Sequence, residues 1–461
     1  MVPALLAAAL AAAPAAHAAP TPAPKAALPN IVLIVADDLG VGEIEPYGQT
    51  QIRTPRLARM AAEGMKFTQF SAGSCVCAPS RCTLMTGLHS GHTRVRDNDV
   101  GALRAADVTV AEVLKAAGYA TGFFGKWGLS KEGRVESYPT RQGFDAFFGY
   151  RDQTHAHNPW PEFLWRGETK VSLRNVVPGA GPEGEGVAFA RVEWAPELIA
   201  RESMEFIRAH RSGPFFVCLA GPVPHINNEA ADGPDGGFEA ANADPYAGSG
   251  WPRPKASYAA LVSALDAQAG GVLDLLDHLD LSERTLVLFT SDNGPTPMRS
   301  VSDGRTDVIG RWFSGSEPLA GFKHDLREGG LRVPLIARWK GTIAPGSISD
   351  APAYFPDLMP TFAALAGAPP PARTDGVDIG PILRGRSETV RREDPLIWSY
   401  PDRNQHAVRS GRWKGYWIDG TAHLYDLEAD PRETTDVARA HPGILARLDA
   451  ARVAANRPAH R

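Results

Sequence analysis

Four stretches of the chain are apolar at most positions: Asn30 to Ala36, Tyr119 to Phe124, Pro214 to Ala220 and Thr285 to Thr290. A strand with one wet face alternates apolar and polar residues. Runs without that alternation predict strands covered on both sides, the pattern of a parallel sheet. Met65 to Phe70 and Val333 to Trp339 predict two further strands. The segments between follow a helical period. Thr54-Pro55 opens a helix that Gly64 stops, and Thr109 with Glu112 forms a capping box for a helix ending at Gly118. Pro196 to His210 predicts another. Leu261, Leu265, Val272 and Leu276 lay one apolar face along Ala256 to His278, and Pro356 to Ala366 is stopped by Gly367. Strands alternating with helices predict an α/β fold, a large doubly wound, mainly parallel sheet flanked by helices.

Beyond Pro369-Pro370-Pro371 the pattern changes. Leu396 to Tyr400, His406 to Ser410, Trp413 to Ile418 and His423 to Leu427 are short, aromatic-rich runs between turn residues, which predict a small antiparallel sheet, with a helix from about Pro442. The expected division is a main domain over residues 29–385 and a C-terminal α+β subdomain over 386–461. Residues 227–254 are rich in Gly, Pro, Asp and Ala without period and read as a rim or insertion.

Composition narrows the classes of function. With 461 residues, 43% apolar and 22% charged, the chain has the makeup of a large globular protein. A net charge of −4 gives no general attraction to nucleic acid or an anionic membrane, so any anion must be held by a local cluster. Residues 1–18 are Ala/Leu-rich and end in Ala16-His17-Ala18, which reads as a signal peptide followed by a Pro-rich linker over 19–28. An exported protein, periplasmic or secreted and without a membrane span, is the expectation.

The chemistry gathers where predicted strands end. Asp37-Asp38 follows the first strand and Asp292-Asn293 follows the Thr285 strand, the ends at which open α/β sheets place ligands. The repulsion of adjacent carboxylates is best offset by a cation, although such a pair also serves as a helix cap or a solvated loop. The run Ser74-Cys75-Val76-Cys77-Ala78-Pro79-Ser80-Arg81 precedes a helix expected to begin near Pro79, whose positive end aims at Cys77. That is a place to hold an anion, and Cys77 is otherwise a small buried thiol or half of a disulfide.

Cys77, Pro79, Ser80, Arg81, Met85, Thr86 and Gly87 match CxPSRxxx(L/M)TG, and in this the chain resembles the type I sulfatases of the alkaline phosphatase superfamily, arylsulfatases among them. The resemblance implies that Cys77 is oxidised to formylglycine by a formylglycine-generating enzyme. It implies a calcium (Ca2+) site at Asp37, Asp38, Asp292 and Asn293, with residue 77 joining it. The number of oxygen donors favours Ca2+ over Mg2+. Gly321 to Pro334 resembles the family's GxKxxxxEGGxRVP, which gives Lys323 a sulfate-binding role, and His225 takes the same role after Pro224. Arg81 is expected to steady the nucleophile and the carboxylates. Only Cys75, Cys82 and Cys218 then remain, so at most one disulfide is expected.

Gly118-Tyr119-Ala120-Thr121 with Gly125-Lys126-Trp127 resembles GYxTxxxGKWHLG, which makes Lys126 a sulfate ligand, but Gly128 stands where the family has histidine. His155 or His157, from Asp152 to Asn158, is the expected substitute base. The implied reaction is hydrolysis of a sulfate ester of a small molecule or glycan, and Trp160, Phe163 and Trp165 are candidates for a sugar or aryl pocket. The rival readings are a phosphonate or phosphate ester hydrolase of the same superfamily and an inactive binder of sulfated glycans.

Overall fold

In a computed structural model describing residues 28–98, 101–242, 244–297, 299–302, 305–308 and 311–455, the four apolar runs lie together within a ten-stranded sheet. The expected leader over 1–18 and all but the last residue of the linker lie outside the described residues. In spatial order the strands are Ser347–Ser349, Met65–Phe67, Leu335–Arg338, Thr285–Ser291, Asn30–Ala36, Phe215–Ala220, Ala120–Lys126, Ala146–Tyr150, Phe163–Arg166 and Thr169–Ser172. The five from Thr285–Ser291 to Ala146–Tyr150 run parallel. Leu335–Arg338 is antiparallel to its neighbours, and the far edge is an antiparallel hairpin.

The first strand shows why its sequence lacks alternation. Val32, Ile34 and Ala36 enter one core, Ile31, Leu33 and Val35 the other, and all are buried. The first core holds Ala195–His210 and Arg253–His278; the second holds Cys77–Thr86, Val110–Ala116 and Leu358–Leu365. Truncating one such side chain, as in Leu33→Ala, costs about 2–5 kcal/mol. Arg253–His278 is long and apolar enough to cross a bilayer, but 67% of its most apolar window is buried in this core.

Differences from the sequence reading are local. The predicted Met65 to Phe70 strand splits: Met65–Phe67 joins the large sheet, while Phe70–Ser71 pairs with Ala353–Tyr354. The helix expected from Pro79 begins at Cys77, because proline is tolerated throughout a first turn. All four cysteines are free and buried.

The four C-terminal strands, Leu396–Tyr400, Gln405–Ser410, Trp413–Ile418 and Thr421–Asp426, form an antiparallel sheet in sequence order. Ile397, Val408, Trp417 and Leu424 pack with Leu448 of the Pro442–Ala455 helix. Trp398, Tyr400, Ala407 and Tyr416 pack with Cys75, Val76, Leu326 and Leu331, so this sheet backs the segments that carry Cys77 and Lys323.

Candidate active site

Ala36 pairs with Ser291 at the last register position of two parallel strands, which brings both acidic pairs out at one level. Asp38 adopts a left-handed backbone (φ 67°) that aspartate tolerates. Its N–H donates to Asp292 Oδ1 at 3.1 Å, and Asn293 Nδ2 donates to Asp38 Oδ1 at 2.7 Å. Lys126 ends a strand two places away and sets its Nζ 2.7 Å from Asp37 Oδ2, wholly buried.

The Cys77–Thr86 helix, buried along its whole length, points its N-terminus into this group. Cys77 Sγ lies 3.5 Å from Asp37 Oδ1 and 3.7 Å from Asp38 Oδ1. Arg81, one turn on, sets Nε 2.9 Å and a terminal nitrogen 2.8 Å from Asp292 Oδ2, and donates to the Lys126 carbonyl. From the opposite side Lys323 Nζ reaches Asp38 Oδ2 at 2.8 Å and His225 Nε2 at 3.2 Å. His225 Nδ1 donates to the Ile226 carbonyl at 2.6 Å, which fixes the neutral tautomer and leaves Nε2 as an acceptor for the lysine.

The charges perturb one another in a consistent way. Burial would raise the Asp37 and Asp38 carboxyls, but Lys126, Arg81 and Lys323 hold the first well below the usual carboxylate range, and Lys323 with Lys126 lowers the second. Burial and the Asp37 charge push Asp292 up to about 6, against the pull of Arg81. Lys323 is held charged by Asp38 despite burial. Burial pushes the Cys77 thiol far above its ordinary value, so an unmodified Cys77 is a thiol and a poor nucleophile.

Asp37, Asp38, Cys77 and His225 bring ligand atoms within 4.8 Å of one another, and Asp292 and Asn293 adjoin them. The buried Asn293 Oδ1 has no hydrogen-bond partner among the described residues. Three carboxylates and a spare amide oxygen are a hard donor set, which fits Ca2+ or Mg2+ rather than a soft metal.

A cleft of about 310 Å³ opens over this group, lined among others by Asp38, Gln153, His157, His225, Lys323 and His324. The His157 ring stacks on His225 at 5.3 Å between centroids, with Nδ1 3.3 Å from Glu229 Oε1. His155 is not in the cleft lining. Its ring is wholly buried between Tyr150 and Phe163, and burial lowers it to about 3, so of the two expected substitutes only His157 is placed at the cleft. The aromatic candidates are elsewhere too: Trp160 is in the core, and Trp165 lies under the Arg151 guanidinium in a separate, smaller pocket shared with Phe163. Sequence reasoning missed Gln153, and also His324, next to Lys323 in its motif, and Tyr400, Asp402 and Arg403 at the end of a C-terminal strand, which complete the cleft wall. A larger groove of about 1080 Å³ shares Lys323, His324 and Arg403 with the cleft but none of the carboxylates at its base.

The family model described as Sulfatase matches residues 29–368, and one described as N-sulphoglucosamine sulphohydrolase, C-terminal, matches residues 322–447. Arylsulfatase A of Homo sapiens is 33% identical over 473 residues, covering 91% of this chain and 86% of that protein. The N-acetylgalactosamine-6-O-sulfatase of Bacteroides thetaiotaomicron is 28% identical over 497 residues, covering 91% of each. Among solved structures, the crystal structure of Ps i-CgsB has the same fold, with a TM-score of 0.75 at 24% identity over 91% of each chain.

Proposed function

Since the chain belongs to the sulfatase family and is a sulfuric ester hydrolase, we propose that it cleaves a carbohydrate sulfate ester using an oxidised Cys77 and a bound calcium ion. The observation that carries this reading is the meeting, around one buried cysteine, of four hard-oxygen side chains and three cations. Converted to formylglycine, position 77 supplies a hydrated aldehyde as nucleophile, and the calcium ion supplies a Lewis acid for the sulfuryl oxygens. The donors at Asp37, Asp38, Asp292 and Asn293 suit that ion.

The chain's own residues do the rest. Arg81 ties the helix that bears position 77 to Asp292 and to the Lys126 carbonyl, so nucleophile and ligand set keep one geometry. Lys126 and Lys323 are preorganised donors for sulfate oxygens whose charge grows in the transition state. Lys323 also protonates the leaving oxygen. His225 commits its Nδ1–H to a hydrogen bond with the Ile226 carbonyl and presents a bare Nε2, whereas Lys323 holds protons to give. His157, stacked on His225 at the cleft, is the titratable group we assign as base.

A sulfated glycan is favoured by the N-acetylgalactosamine-6-O-sulfatase relative and by the larger groove, where Arg311, Arg403, Arg432, Tyr416 and Tyr425 surround a space that a sugar chain leaving Lys323 would enter. Maturation requires a formylglycine-generating enzyme, and export through the 1–18 leader places the protein in the periplasm or outside the cell. The test is sulfate release from an aryl sulfate and from 6-O-sulfated N-acetylhexosamines, with calcium and after chelation. Turnover of the sugar esters that chelation removes supports the reading; turnover indifferent to chelation refutes the metal's part in it.

A further inference from the structure

Gly128 adopts a left-handed backbone, φ 70°, and a Cβ built on it would lie 2.8 Å from Gln153 Oε1 and 3.6 Å from Arg81 Cδ. The Gln153 carboxamide therefore occupies the space that a side chain at position 128 would take, directly beside Arg81. Arg81 and Cys77 are four residues apart on one helix and share a face, so this space borders the nucleophile's side of the helix.

Gln153 is only 9% exposed and lines the active cleft, yet its buried Oε1 has no hydrogen-bond partner among the described residues. Its position is imposed from outside the side chain. Asp152 Oδ1 accepts hydrogen bonds from the N–H groups of Thr154 and His155 and pins the turn that presents Gln153. A buried carbonyl acceptor held in place without a donor is awaiting one. The unmodified thiol offers a single proton, and its nearest acceptors are Asp37 and Asp38. A hydrated aldehyde at position 77 offers two hydroxyls.

We infer that Gln153 is a positioning residue for the nucleophile: its Oε1 accepts a hydrogen bond from one hydroxyl of the hydrated residue 77, filling the place left by the glycine at 128. The inference rests on the formylglycine reading. An amide oxygen takes no proton at neutral pH, so Gln153 orients the nucleophile and favours the hydrate over the free aldehyde, while the proton itself goes to a titratable group.

The experiment uses the full chain produced together with a formylglycine-generating enzyme, with conversion of residue 77 measured by peptide mass in every variant. Gln153→Ala is expected to lower kcat on an aryl sulfate by about 10- to 100-fold with KM changed by less than about threefold. In the same protein, without substrate, an aminooxy reagent should trap the aldehyde faster than in wild type, because the hydrate has lost its acceptor. Gly128→His alone should be impaired, since the Gln153 carboxamide stands in its way and the left-handed backbone disfavours a side chain. Gly128→His combined with Gln153→Ala should be more active than either single variant despite the strained backbone at 128, which a merely structural role for Gln153 would not produce. Converted, active wild type with Gln153→Ala unchanged in both kcat and trapping overturns this inference alone. Unconverted and inactive wild type overturns the formylglycine reading and this inference with it.

Discussion

Lys414 and Glu328 meet at 2.9 Å with both side chains wholly buried, and Lys126 and Asp37 do the same at 2.7 Å. Around Lys414 the carboxylates are surrounded by cations. Glu433 lies 2.9 Å from the same ammonium, and Arg332 and Arg409 face Glu328. Burial would raise Glu328, but Lys414, Arg332 and Arg409 hold it well below its ordinary range. Each cluster also holds one carboxylate that burial and a carboxylate neighbour raise, Glu433 beside Glu328 and Asp292, up to about 6, beside Asp37. The Asn293 oxygen is left over, and the group opens on a cleft. Both clusters are deeply buried; a spare amide oxygen and an opening onto the cleft mark the site. The closed cluster still serves the open one, because Glu328 lies five residues after Lys323 and anchors that segment to the C-terminal sheet.

The comparison breaks first at the open cluster. Asp38→Asn should reduce sulfate release by about 10³-fold or more by disabling the metal's Lewis-acid role. Its calcium affinity, read by titration calorimetry, should fall by about 100-fold. Metal-free stability should fall by less than in Lys414→Met, because the loss of the buried Lys323's partner is offset by relief of the Asp37–Asp38 repulsion, and an equal or larger loss would make Asp38 a folding residue. Lys414→Met should do the reverse. Removing one partner of a buried pair costs about 3–5 kcal/mol, read by denaturant unfolding, while kcat of the folded fraction stays within about threefold.

Calcium should stabilise the folded protein by about 2.7 kcal/mol at a hundredfold excess over its Kd, seen as a rise in Tm. The gain should vanish in Asp292→Asn and persist in Lys414→Met. The smallest effect is on acid stability. Glu328 has a folded pKa below its unfolded value near 4.3, so its contribution is present above that pH and is lost as pH falls toward the folded value. Replacing the pair, Glu328→Gln with Lys414→Met, should flatten the fall of Tm below about pH 4. An unchanged slope would place the acid sensitivity elsewhere.

The residues that sequence made legible share a cause. Asn30–Ala36 and Thr285–Ser291 read as buried parallel strands because both faces of each are covered, and parallel strand direction puts the Asp37-Asp38 and Asp292-Asn293 pairs at the same end of the sheet. Lys126, Cys77, Arg81, His225 and Lys323 came from motifs and meet within one group. The half-exposed hairpin Phe163–Arg166 and Thr169–Ser172 has no continuous apolar run to show it. His155 and His157 looked equivalent in sequence. They sit in a 3-10 turn, where residues two apart project about 240° apart, so one is walled in and the other reaches the cleft. Gln153 and Arg403 are 250 positions apart on unpatterned loops, and only the folded chain brings them to one cleft.

The most direct test is the mass of the peptide spanning Cys77 in protein from its native host, taken with calcium-dependent release of sulfate from an aryl sulfate. The account predicts the formylglycine mass in the active protein, and no turnover in a Cys77→Ala variant whose Tm is close to wild type. An unmodified cysteine in a protein that releases sulfate, or turnover that survives Cys77→Ala, would contradict it.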